Sequence, residues 1–184
     1  MPINSKHPSY DADMAEKTEN AFSGKVQNYI PRLVGQSNKE YSQYVERATY
    51  FNVVKRTTLA LIGAMMRKPI TTDLSLSDVS IDGGQSFNEF QASIYQQIMT
   101  SGRVGVLCDY DEYNQTPYLV NYSNTDIINW RYEDGELDFV IIREDCYEPK
   151  ANDKYETEHV IKYRELYMED GVYNVRVWQQ DGHK

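Results

Sequence analysis

The spacing of apolar residues in this chain changes period at Gly102. Before it, apolar residues recur at three- and four-residue spacing. After it they come in short runs separated by turn residues. The first pattern fits amphipathic helices and the second fits strands. Helices that come first and antiparallel strands that follow, rather than the two in alternation, predict an α+β fold.

Residues 38–69 read as one long helix. Ser37 or Asn38 can cap it, and Glu40 sits in the first turn, where a carboxylate favours the helix dipole. Tyr41, Tyr44, Val45, Ala48, Phe51, Val54, Thr58, Leu61, Ile62 and Met65 supply the apolar spacing. Pro69 ends it, because the residue before a proline avoids the helical region. Such a helix would be about 45 Å long, a length suited to bracing a structure or lying along a neighbouring subunit. A second helix is expected over 86–102. Ser86 and Glu89 have capping-box spacing, Phe87, Phe90, Ile94 and Ile98 form the stripe, and Gly102 is the stop. Residues 1–37 are weakly periodic and read as an amino-terminal arm, with a short helix running toward Phe22 and stopped by Gly24. Residues 70–86 are a polar connector with a turn signal at Gly83–Gly84.

Four short strands are predicted at Val104–Tyr110, Pro117–Tyr122, Ile127–Tyr132 and Leu137–Arg143, the last two joined by an Asp134–Gly135 hairpin. A second hairpin joins Val160–Tyr167 to Val172–Trp178 across Asp170–Gly171. The run from Val104 is mostly apolar and is expected to be buried on both faces. Residues 148–157 are charged and read as a loop. Beyond the arm, residues 38–184 form one expected α+β domain, with 103–184 mostly strands. The sequence stops just past a strand with no closing element, so truncation at the carboxyl end is expected.

Charge narrows the functions. The net charge is −9. Residues 1–70 hold ten Lys/Arg against six Asp/Glu, and residues 71–184 hold nine against twenty-two. The acidic half repels nucleic acid, which argues against a sequence-reading DNA-binding domain. The longest apolar candidate, Thr58–Met66, falls short of the roughly 20 residues that span a bilayer. No apolar leader core is visible, so a cytoplasmic setting is the expectation. Sixteen tyrosines fit either strands or protein–protein contacts. Cys108 and Cys146 are expected to be reduced thiols, at least one of them buried.

Chemistry-bearing candidates are few. Asp109, Asp111 and Glu112 follow a strand and offer a weak divalent-cation pattern, which is the basis of an alternative reading as a small metal-dependent hydrolase or nuclease. The more ordinary role for them is a solvated turn. Gly102–Gly105 is not a phosphate loop, since its glycines follow a helix and precede a strand. His7, His159 and His183 lie far apart and suggest no triad. No catalytic residue, metal or cofactor is therefore expected. Arg47, Lys55, Arg56, Arg67 and Lys68 lie on or just after the long helix, either as contacts to an acidic partner or DNA backbone or as its solvated face. Trp130 and Arg131 are either an interface anchor or part of a core strand. Arg103 joins these interaction candidates.

Taken in order, several segments resemble one branch of tailed-phage portal proteins. They are Lys6-His7-Pro8-Ser9-Tyr10, Asn52, Arg67-Lys68-Pro69, Ser101-Gly102-Arg103-Val104-Gly105-Val106-Leu107-Cys108-Asp109-Tyr110, Pro117-Tyr118-Leu119, Ile127-Ile128-Asn129-Trp130-Arg131 and Ile142-Arg143-Glu144. The resemblance covers most of the chain. It implies a structural subunit of a dodecameric ring at one capsid vertex, present in the host cytoplasm during assembly and then in the virion, and not membrane-bound. Such rings pass double-stranded DNA during packaging and ejection, and they meet terminase, scaffold or capsid protein and a head–tail adaptor. They are not enzymes. This chain would correspond to the outer wing region, where DNA is not gripped. A binding module that shares only the fold is the remaining alternative.

Overall fold

The computed structural model describes residues 3–68, 70–73, 75, 76, 79–150 and 153–179. Among the described residues lie the α-helices α1 (Ala12–Ser23), α2 (Asn38–Arg47), α3 (Val53–Met65) and α4 (Phe87–Ser101). The strands are β1 (Ser80–Ile81), β2 (Val104–Asp111), β3 (Thr116–Ser123), β4 (Ile127–Glu133), β5 (Glu136–Lys150), β6 (Asp153–Glu169) and β7 (Val172–Gln179). They form two sheets, in the orders β1-β3-β2 and β4-β5-β6-β7. The fold is α+β, and the four-stranded sheet is antiparallel throughout. β1 pairs with β3 in parallel over two residues.

The chain divides into two compact units, Met1–Ala12 with Gly105–Leu107 and Asn121–Lys184, and Asp13–Val104 with Cys108–Val120. In the second, helical unit, the expected starts at Ser37 and Ser86 and the stop at Gly102 are in place, while Pro69, the expected end of the long helix, lies outside the described residues. Ser37 and Glu40 form a reciprocal capping box at α2, and Ser86 and Glu89 form another at α4. Gly102 ends α4 in the left-handed conformation, at φ 74°, which a Cβ would disfavour.

The single helix over 38–69 is corrected to two. α2 stops at Arg47, and α3 restarts after Asn52. Thr49, Tyr50 and Phe51 form a β-branched and aromatic run with low helix propensity. Asn52 then supplies a better alternative to continuing. Its side-chain oxygen accepts from the Lys55 amide at 2.7 Å, and its Nδ2 donates to the Phe22 carbonyl at 2.7 Å. One side chain therefore starts α3 and ties it to the end of α1. α3 packs on α4, and the buried residues of the pair are Thr58, Ile62, Phe90 and Gln91.

In the sheet unit, Ile128, Ile141 and Tyr163 form the core, with Ile3, Tyr10, Phe139 and Ile161 packed against it. Both expected hairpins are present. Asp134 and Gly135 have φ 50° and 86°, and Asp170 and Gly171 have φ 51° and 75°, the paired positive values that a two-residue hairpin of this twist needs.

The loop expected at 148–157 is corrected. β5 continues to Lys150 and β6 begins at Asp153, with Glu148 opposite Glu158 and Pro149 opposite Thr157. Charged residues extend these strands because they pair across them: Lys162 meets Glu148, and Lys150 meets Glu156. β2 is also corrected. Only Leu107 of the strand is buried, and Val106, Cys108 and Tyr110 are exposed, because β2 lies at the edge of its sheet. Both cysteines are free thiols, but neither is buried: Cys108 is exposed and Cys146 half-buried.

Candidate functional site

The eight interaction candidates divide between the two units. Arg47, Lys55, Arg56, Arg67, Lys68 and Arg103 belong to the helical unit, and Trp130 and Arg131 to the sheet unit. Arg47 is exposed in the last turn of α2, and its Nε donates back to the Gln43 carbonyl at 3.1 Å. Lys55 and Arg56, in the first turns of α3, are exposed and point about 100° apart around its axis. The Lys55 ammonium lies 5.8 Å from the Phe22 ring centroid. Arg67 and Lys68 are exposed just past the C-cap Met66, at the negative end of the α3 dipole. Arg103 is partly buried, and its carbonyl accepts from the Ser101 hydroxyl at 3.1 Å.

Trp130 and Arg131 are engaged within their own unit. Trp130 stacks on His7, with ring centroids 4.0 Å apart. The amide of His7 donates to the Ile128 carbonyl at 2.9 Å, and Asn129 Nδ2 donates to the Ser5 carbonyl at 3.0 Å. The start of the chain thus occupies the outer flank of β4. Arg131 pairs with Asp138 and lies over the Phe139 ring. The hydrogen bond and charge of Asp138 raise the guanidinium pKa above its ordinary value.

The carboxylates after β2 build a turn. Asp111 Oδ1 accepts from the amides of Tyr113 and Asn114 at 2.9 and 3.1 Å, and Oδ2 accepts from Asn114 Nδ2 at 2.6 Å. These bonds, led by the Asn114 amide, hold the Asp111 carboxyl below its ordinary pKa. Asp109 accepts from the neighbouring Tyr110 amide at 2.8 Å, and Glu112 is exposed. Among the described residues, no group of three His, Cys, Asp or Glu is placed to hold a metal ion. A hollow of about 1100 Å³ in the helical unit is open, and its lining includes Val79, Ile81, Tyr110, Asp111, Tyr118 and Leu119. A smaller one of about 430 Å³ in the sheet unit includes Ile3, Phe139, Tyr167, Asp138 and Glu165. His159 Nε2 lies 2.8 Å from Asp145, on exposed strands, where Arg143 also pairs with the same carboxylate oxygen.

What the surface does hold is exposed apolar area. On α3, Val54, Leu61 and Met65 share one side of the helix beside the buried Thr58 and Ile62, and they remain 41%, 48% and 40% exposed. On β7, Val172, Tyr173, Val175, Val177 and Trp178 are all exposed. No family model matches the chain, and no curated protein matches it. The spacing of Val54, Leu61 and Met65 marked them as apolar-stripe residues in the sequence. It carried no sign of whether the stripe meets this chain's own core or another molecule. For β7, the outward apolar residues have a sequence signal only in retrospect: Val172, Val175 and Val177 fall on both faces of a strand that has a neighbour on one flank.

Proposed function

We propose that this chain is a structural subunit of a phage portal ring, the head–tail connector through which DNA is packaged and ejected, and that it supplies the outer wing region. The observation that carries the reading is the apolar surface left on α3 and β7. Exposed apolar patches of this kind belong to proteins that bury them against neighbours. The sequence resemblance supplies what the neighbours are: further copies of the subunit, and by extension terminase, scaffold or capsid protein and the head–tail adaptor. The acidic balance of residues 71–184 supports a protein-facing location away from the DNA path. The role is non-catalytic, and the carboxylates of Asp109, Asp111 and Glu112 serve the turn and the surface. Antibody raised against the chain tests this on intact phage heads by immunogold electron microscopy. Label at a single vertex, the one that carries the tail, is expected. Label spread over the whole shell, or absent from heads, would overturn it.

A further inference from the structure

Edge strands are normally blunted by lysine, proline, bulges or a covering segment, because their free backbone groups recruit other strands. In this chain, β4 is covered by the His7 segment, and β1 is two residues long. Among the described residues, the remaining edges, β2 and β7, are both eight residues long and contain neither lysine nor proline. Their side chains are complementary. β2 carries Asp109 and Asp111 and no cation, while β7 carries Arg176 and no anion. Among the described residues, neither Asp109 nor Arg176 has an ion-pair partner. The guanidinium of Arg176 rests over the Tyr167 ring at 4.5 Å.

We infer that β7 of one copy adds antiparallel to β2 of a second copy, in the register that sets Arg176 opposite Asp109. That register also sets Val175 opposite Tyr110, Val177 opposite Cys108 and Trp178 opposite Leu107. Opposed residues in an antiparallel pair share a face. The exposed apolar side of β2, made by Val106, Cys108 and Tyr110, therefore meets the exposed Val175 and Val177. The acid and base fall together on the other face. A slip of one residue sets charges against valines and turns one strand's apolar set to the wrong side. Pairing β7 with itself offers Arg176 no carboxylate. The contact uses two different surfaces, so it propagates head to tail, as a closed ring requires. The inference rests on the reading above only in that copies of this chain associate; it adds which strands meet and in what register.

The test is Val177→Cys under mild oxidation, read on non-reducing gels. The native partner thiol, Cys108, is free and exposed. The expected result is a ladder of dimers, trimers and larger species that collapses with reductant and disappears in Val177→Cys/Cys108→Ser. Arg176→Glu and Asp109→Arg should each weaken association about tenfold, and the double variant should restore it. Unchanged melting temperatures confirm that each variant folds. A ladder indifferent to Cys108→Ser, or none at all, overturns the inference. If single-vertex labelling persists in that case, the portal reading survives it; if the ladder forms without vertex labelling, the strand pairing stands and the portal reading fails.

Discussion

The imidazole of His7 lies nearly flat against the indole of Trp130, with ring centroids 4.0 Å apart and planes inclined by 19°. The stack clamps the first described residues to β4, beside the backbone bond from His7 to Ile128. His7→Ala should lower stability by about 1 kcal/mol, the usual contribution of an aromatic pair beyond its buried area. Hydrogen exchange localises the effect: the amide of His7 should exchange faster while amides of the β5–β6 pairing hold. Uniform loss of protection across the sheet would show that the contact has a different role.

Gly105 is required by a close approach rather than by its backbone angle. A Cβ built there falls 2.7 Å from Ile127 Cδ1, and Ile127 is buried. Gly105→Ala therefore forces the isoleucine out of its rotamer, at a cost of about 1–3 kcal/mol. Adding Ile127→Val removes the offending methyl and should recover more than half of the loss, measured by urea denaturation. No recovery would place the strain elsewhere.

Asn52 has two separable jobs. Asn52→Asp keeps the cap on the Lys55 amide but gives up the donor to the Phe22 carbonyl, while Asn52→Ala loses both. Alanine should cost about 1–2 kcal/mol and aspartate a smaller part of it. Equal losses in thermal unfolding would mean that the cap contributes nothing.

Glu89 makes part of the stability depend on pH. Bonds from the Ser86 hydroxyl and then the Ser86 amide hold its carboxyl below the ordinary value of 4.5. A group whose pKa is lowered by folding stabilises the fold above its unfolded pKa, and the contribution fades as pH falls through the folded value. Glu89→Gln should therefore be less stable than the native chain at neutral pH, and the gap should close below about pH 4. Glu40, lowered by Ser37 in the same way, predicts the same for Glu40→Gln. A gap that is constant between pH 7 and pH 3 would contradict the linkage.

Local signals were legible where a short stretch of sequence decides the structure. Ser86 with Glu89, Gly102, and the two Asp-Gly pairs each act within a few residues, and each does what its chemistry predicts. Features set by distant partners were not. The break at Asn52 depends on a carbonyl in α1 that periodicity does not register. The outer halves of β5 and β6 looked like a charged loop because their stability comes from pairs such as Lys162 with Glu148. From the sequence alone Trp130 fits an anchor and a core strand equally, because the contact that decides it is with His7, far away along the chain. The apolar stripe of α3 was visible, but which side of it stays open is a property of the folded chain.

The association of copies through surfaces this chain leaves open is best tested by native mass spectrometry of the purified protein in packaging-like buffer. The predicted result is a concentration-dependent series of oligomers larger than the monomer, shifting to smaller species on Arg176→Glu. A monomer at every concentration tested would contradict it.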